Sequence, residues 1–208
     1  GVSGPCNTSF SACAASAQAI ADGLRAIRRG QIDIAIVGGH DSMIHPMGLL
    51  SFVVLGALSE DRCRPFDRNR SGFMIGEGAG ILILERSEYA RRRGAVSRAR
   101  LLGAGTSADG WNATAPHPDG SGAANAMRRA IKDARIEGER VDYVCAHGTG
   151  TPLGDRAEAR AIGTTLGSEA RVSSVKGSIG HCIAAAGVIE AAVTVASIEH
   201  GFVPGTVG

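Results

Sequence analysis

Aromatic residues are scarce in this chain, 4% of 208 positions, with one Trp, two Tyr and five Phe. That scarcity excludes a core built of large rings. Thirty glycines point instead to many tight turns and close backbone approaches, with helices packed through small residues. A charge excess is also missing, since 22 Lys and Arg stand against 20 Asp and Glu. No basic run is interleaved with stacking aromatics, so nucleic acid is not indicated. No C-x-x-C pair occurs: Cys6, Cys13, Cys63, Cys145 and Cys182 are odd in number and widely spread. Neither a disulfide framework nor a zinc knuckle follows, and reduced thiols of a cytoplasmic protein are the expectation. No apolar run approaches the length of a bilayer span, and no signal peptide is recognisable, so no membrane role is expected. The chain starts without Met inside an apparent strand and stops at Gly208 with no element completed, which reads as a fragment of a longer protein.

What is present is ordinary globular composition, 44% hydrophobic and 20% charged, suited to a layered α/β protein. Residues Gly4 to Gly30 organise it. A β-prone lead-in, Asn7 to Phe10, runs into Ser11-Ala12-Cys13-Ala14-Ala15-Ser16 and then into an Ala-rich amphipathic helix closed by Arg28-Arg29-Gly30. A cysteine at a helix start is placed to be a nucleophile, because unpaired N–H groups and the positive dipole end favour the thiolate. Taken alone, it reads first as a small packed residue in a tight helix.

Ile32 to Gly39 is a β-branched run between glycines and reads as a buried strand, completing a βαβ unit. His40 to Leu58 reads as a loop with short helical turns, and Ser59 to Gly72 as an arginine-bearing connection. Gly76-Glu77-Gly78-Ala79-Gly80 is not a dinucleotide loop, because a strand, Ile81 to Leu84, follows it where a helix is needed. A basic helix over 87–93, a strand over 97–105, a loop over 111–122 and a helix capped by Ser121 come next. Val141 to Ala146 reads as a strand delivering His147-Gly148-Thr149-Gly150-Thr151. Asp155 and Glu158 form a D-x-x-E capping-box pattern for a helix to about Leu166. Arg171 to Val175 reads as a strand that leads to Lys176-Gly177-Ser178-Ile179-Gly180-His181 and a long Ala-rich helix ending at His200-Gly201. Segments 5–38 and 171–208 thus look like two copies of one supersecondary unit, an internal duplication.

Three strand ends each present a reactive group: Cys13, His147, and Lys176 with His181. Carboxyl ends of strands are where sites assemble in parallel α/β sheets. A metal site is not expected, since Cys145 and His147 have no further ligands at usual spacing.

These residues resemble the β-ketoacyl synthases, the thiolase-fold condensing enzymes of fatty acid and polyketide synthesis. Ser11-Ala12-Cys13-Ala14-Ala15-Ser16 resembles the family's nucleophile motif, His147-Gly148-Thr149-Gly150-Thr151-Pro152 its first histidine motif, and Lys176 to His181 its lysine and second-histidine motif. Arg64-Pro65-Phe66-Asp67 and Gly76 to Gly80 fit as well. The resemblance implies a duplicated five-layer α-β-α-β-α thiolase-like fold, here partial. Residues 1–98 would be the C-terminal part of the first half, and 99–208 most of the second. It implies that Cys13 carries an acyl group as a thioester and that His147 and His181 assist decarboxylation of malonyl carrier protein. Lys176 would organise the site electrostatically with Glu190 as its counter-ion, and Thr149 and Thr151 would bind the pantetheine arm. Asp155 stays open between a helix cap and a supporting role in the site. No bound cofactor is implied; substrates ride on the phosphopantetheine of an acyl carrier protein.

The resemblance also implies a homodimer, with the stretch from about Cys6 to Phe10 pairing across the two-fold axis, or a heterodimer with a chain-length partner. The linker from Ser107 to Gly120 favours a discrete, type II enzyme. A non-catalytic chain-length-determining subunit is the alternative, although such partners typically lack the nucleophile. Relative to the family the sequence lacks the N-terminal strands and the C-terminal glycine-rich loop with its gating phenylalanine. A fragment of this span is therefore expected to be inactive alone and to leave apolar faces uncovered.

Overall fold

A computed structural model describes residues 2–136 and 141–208. Small residues decide how its helices sit. Helix α1 (Ala15–Arg28) lies on strand β1 (Ile34–Asp41) at Gly23, where a methyl would stand 2.7 Å from Val37 Cγ1. Against α1 lies the long C-terminal helix α7 (Ala186–His200), at Gly187, where a methyl would meet Ala17 at 2.8 Å. Such spacing admits no larger side chain, so the glycines set the distance between layers. Ile20, Ala35, Val37 and Val188 form the resulting core.

Strand β1 pairs antiparallel with β2 (Gly78–Glu85), in register from Ile34 opposite Glu85 to Asp41 opposite Gly78. The reading of a fully buried strand in a βαβ unit is corrected here. Ala35 and Val37 face α1 and α7, while Ile34, Ile36, Ile81 and Ile83 alternate to the other face and are exposed. The opposite surface of this ribbon is apolar and uncovered. A second, parallel pair joins β3 (Tyr143–Cys145) to β4 (Arg171–Ser173), and helices α4 (Ser121–Ala134) and α5 (Pro152–Leu166) pack on each other beside it.

Other expectations change as well. Asn7 to Phe10 is coil with Phe10 fully exposed, and 97–105 forms no ladder. Both stretches lack a neighbouring strand among the described residues, and a strand without a partner has nowhere to place its N–H and C=O groups. Residues 97–105 instead run along α4, Gly103 and Gly105 meeting the backbone of Ala130 and Ala134 closely. The 40–58 segment is more regular than expected, with α2 (Pro46–Val54) opened by a proline at its first turn and capped by His45 Nδ1. A short helix α3 covers Ser87–Arg92. Gly120, at φ 76°, precedes α4, so Ser121 opens that helix rather than capping it.

The duplication is visible in one detail. A 3₁₀ turn, Ala12–Ala14, leads into α1, and another, Ile183–Ala185, leads into α7. Each begins on a non-glycine residue in the left-handed region, Ala12 at φ 46° and Ile183 at φ 39°. By length and composition alone, Ile183–His200 would suffice to cross a membrane, with mean hydropathy 1.4, which corrects the sequence reading. Its packing on α1 and β2, and the ion pair its Glu190 makes with a buried lysine, tie it into the protein.

Candidate active site

Cys13 sits in the middle of the first 3₁₀ turn, so its Sγ projects past the start of α1 toward the turn before α7. His181 meets it there, Nε2 standing 3.0 Å from Sγ. Three groups fix that imidazole. The main-chain N–H of His181 donates to Met74 O at 2.7 Å, its main-chain carbonyl accepts from Gly76 N at 3.0 Å, and Phe73 packs edge-to-face on the imidazole with ring centroids 5.1 Å apart. Phe52 packs edge-on against Phe73 in turn, at 5.4 Å, so two of the chain's few aromatics are gathered behind one histidine. His147, delivered by β3, presents its ring edge-on to His181 at 5.1 Å. Sγ and one nitrogen of each ring all lie within 4.8 Å of one another.

The His147 loop is held from below by carboxylates. Glu158 accepts from the N–H groups of His147 and Gly148, both at 2.7 Å. Asp155 accepts from Gly150 N at 3.1 Å and from Phe66 N at 2.7 Å. The capping-box reading of this pair is corrected: α5 begins at Pro152, three residues before Asp155, and both side chains reach back to the loop that precedes it. Lys176 opens the short helix α6 (Lys176–Ile179) and is 1% exposed; its Nζ donates to His147 O at 2.6 Å and pairs with Glu190 on α7. Thr149 and Thr151 share a hydrogen bond of 2.9 Å between their hydroxyls.

Burial dominates the proton equilibria. It pushes the Cys13 thiol up, with Lys176 the largest opposing influence, so the expected thiolate at the helix start is corrected: desolvation outweighs the helix dipole and the ammonium. His181, 1% exposed, is driven down to about 2 by burial and then by His147 and Lys176. His147 is exposed as a residue, yet protein atoms crowd its ring, and that desolvation and then Lys176 lower it as well. Glu190, Glu158 and Asp155 are all raised, chiefly by burial. The resting pair is therefore thiol and neutral imidazole, not thiolate and imidazolium.

A pH signature follows. The unfolded chain binds a proton at His181 below its ordinary value of about 6.5, whereas the folded chain does not until about 2. The stability this contributes is complete above pH 6.5 and is lost as pH falls toward 2; the raised carboxyls act with the opposite sign. Going from pH 7 to pH 5, the parent is expected to lose about 2 kcal/mol more than His181→Gln in urea denaturation. Equal losses would show that His181 titrates normally.

Three soft donors this close could span a thiophilic cation by size. The Lys176 ammonium beside them opposes one, and His181 Nδ1 is buried without the acceptor that a ligating histidine usually has behind it. A groove of about 540 Å³ lies elsewhere, lined by Phe66, Ile162, Val172 and Gly208 among others, and contains no member of the triad. Chemistry favours the triad over the groove. Glu158 was invisible as anything but a cap in the sequence; its place one turn beyond Asp155, on a helix starting directly after the histidine loop, was the available signal.

Residues 1–90 match the description "Beta-ketoacyl synthase, N-terminal domain", and residues 98–208 match "Beta-ketoacyl synthase, C-terminal domain". A mitochondrial 3-oxoacyl-[acyl-carrier-protein] synthase of Arabidopsis thaliana is 41% identical over 99% of this chain and 47% of its own length. A 3-oxoacyl-[acyl-carrier-protein] synthase 2 of Staphylococcus aureus (strain COL) is also 41% identical, over all of this chain and 52% of its own. The chain thus spans about half the length of the curated relatives it matches. Among solved structures, the ishigamide ketosynthase/chain length factor is similar at TM-score 0.89 and 41% identity, covering 94% of this chain and 48% of that one. A beta-ketoacyl synthase from Burkholderia phymatum STM815 is similar at TM-score 0.89 and 36% identity, covering 92% and 48%. A type II polyketide ketosynthase solved with its acyl-carrier protein is similar at TM-score 0.88 and 36% identity, covering 91% and 49%.

Proposed function

Because this chain belongs to the β-ketoacyl synthase family and has a partial thiolase-like α/β fold, we propose that the protein catalyses decarboxylative Claisen condensation on carrier-bound thioesters. The observation that carries the reading is the cluster of Cys13 Sγ with ring nitrogens of His147 and His181 within 4.8 Å, both imidazoles neutral.

In the first half-reaction the Cys13 thiol attacks an acyl thioester. As the new C–S bond forms and the carrier's C–S bond breaks, the S–H proton passes by way of His181 Nε2, 3.0 Å from Sγ, to the departing carrier sulfur, which leaves as a thiol. Since Cys13 is raised and His181 lowered, ionisation accompanies attack rather than preceding it. The Cys13 N–H in the turn is placed to steady the oxyanion. In the second half-reaction the malonyl carboxylate leaves as carbon dioxide, and its electron pair becomes an enolate. Two neutral imidazoles donating to the thioester oxygen stabilise charge that exists only as the bond breaks. The enolate carbon then attacks the acyl-Cys13 carbonyl, and the Cys13 sulfur leaves as a thiolate that takes a proton from solvent, one proton being consumed for each carbon dioxide released.

Lys176 adds to the burial that keeps both histidines unprotonated and holds the His147 carbonyl, with Glu190 balancing its charge. Thr149 and Thr151 receive the pantetheine arm, and Asp155 and Glu158 brace their loop. We assign the nucleophile to the half formed by 1–98 and the histidines and lysine to 99–208. The partners we propose are an acyl carrier protein and a second ketosynthase-type subunit, identical or chain-length-determining. For the carrier, Arg68 is exposed, whereas Arg64 is held by Asp61. We place the enzyme in the cytoplasm on its five free thiols; that one relative is named mitochondrial leaves an organelle as the eukaryotic counterpart.

Incubating the intact protein with an acyl carrier thioester and a malonyl carrier thioester is expected to yield the β-ketoacyl carrier product with one carbon dioxide per condensation, read by mass spectrometry. Carbon dioxide without a two-carbon extension, or neither product, would reject the reaction.

A further inference from the structure

Residues 63–72 of the nucleophile half pass over the His147 loop, and their contacts with it converge on Arg70. Its guanidinium donates from Nη1 to Asp67 O at 2.7 Å, from Nη2 to Pro152 O at 2.9 Å and from Nε to Thr151 O at 3.4 Å, and its Nε lies 3.5 Å from Asp155 Oδ2. Asp155 is 1% exposed and itself binds one N–H on each side of the seam, Phe66 in the strap and Gly150 in the loop. Phe66 is held at φ 64°, a conformation that only surrounding bonds sustain in a residue with a side chain. Cys63 Sγ adds a contact to Thr149 O at 3.3 Å. Gly150, at φ 77°, lies so close under the strap that a methyl would stand 2.7 Å from Gly72 O. Among the described residues, no hydrogen bond or ion pair joins Arg70, Phe66, Asp155 or Gly150 to Cys13.

We propose that Arg70 is a positioning residue: it latches the strap onto the Thr149–Asp155 turn and so fixes His147 and the two threonines relative to the nucleophile half. The inference rests on the condensation reading for its kinetic consequence and on geometry alone for its structural one. Lysine cannot replace it. Arginine's planar fork serves three carbonyls and a carboxylate in different directions, whereas an ammonium on a flexible stem serves one or two. Displacing a reacting group by about 1 Å costs about a hundredfold in rate, and the step affected here is the one that uses His147.

The test compares Arg70→Gln and Arg70→Lys with the parent, all as intact protein, by three measurements. Amide hydrogen exchange at Gly150 and Phe66 is expected to quicken at least about tenfold in both variants. The kcat for decarboxylation of malonyl carrier protein is expected to fall about a hundredfold. Alkylation of Cys13 by iodoacetamide, which needs neither the loop nor a carrier, is expected to stay within about threefold. Parallel loss of alkylation and decarboxylation would mean general disruption and overturns the proposal, as does unchanged exchange. Should the parent itself fail to decarboxylate malonyl carrier protein, the condensation reading falls, and exchange at Gly150 and Phe66 alone decides whether the latch exists.

Discussion

Cys13→Ala is expected to lower acyl transfer and condensation at least about a thousandfold while leaving malonyl decarboxylation within about tenfold of the parent. The asymmetry comes from the geometry. Among the described residues, Cys13 is the cysteine whose Sγ stands against the two imidazoles, and no other joins the cluster. Cys63 and Cys182 are buried and raised by that burial, and Cys6 is exposed in the coil before the turn. The histidines keep their own supports when the thiol is removed: Met74 and Gly76 for His181, Glu158 and Lys176 for His147. Intact-mass measurement of the acyl-enzyme reads the first effect, and carbon dioxide release reads the second. Decarboxylation falling in step with acylation would show that the histidines depend on the thiol, and persistent acylation would remove Cys13 from the mechanism.

The second large effect concerns stability. Lys176→Met removes the ammonium paired with Glu190 and is expected to destabilise the protein by about 3–5 kcal/mol, because one buried charge is left without its partner. Replacing both residues, Lys176→Met with Glu190→Leu, is expected to recover most of that loss while activity stays low, since the His147 carbonyl loses the donor that holds its loop. The single variant carries a pH signature of definite sign. Burial already raises Glu190, and Lys176 is the largest influence opposing it. Without the lysine the carboxyl takes up a proton more readily in the folded chain, so the deficit shrinks as pH is lowered through its raised value. Denaturant melts across that range measure it; a deficit independent of pH would place the loss in packing rather than charge.

How much of this was legible beforehand depended on how local the cause was. The turn at Cys13, the strand leading to His147 and the helix after His181 follow from patterns within a few residues, and the structure places all three where the sequence located them. Asn7 to Phe10 and 97–105 have the same local signals of a strand and form none, because strand formation also needs a neighbour with open hydrogen-bonding groups. In the site, motif spacing pointed to Cys13, His147, Lys176 and His181. It could not reveal Arg70 or the bracing by Glu158, whose partners are backbone groups and leave no mark on residue type. Proton affinity was misjudged for Cys13 because the helix dipole is readable from sequence, whereas the depth at which the thiol is buried is not.

The matched turns at Ala12 and Ile183 show where the two copies part company. Their backbones begin alike, yet the position taken by Cys13 in one belongs to Ala184 in the other, and Asp41 Oδ2 accepts the Ala184 N–H at 3.1 Å. A thiol grafted at Ala184 would find its amide already committed to a carboxylate. The scaffold is nearly twofold in shape but single-handed in chemistry: one turn is free to meet an incoming carbonyl, and its twin has become a hinge pin fastened to the end of β1.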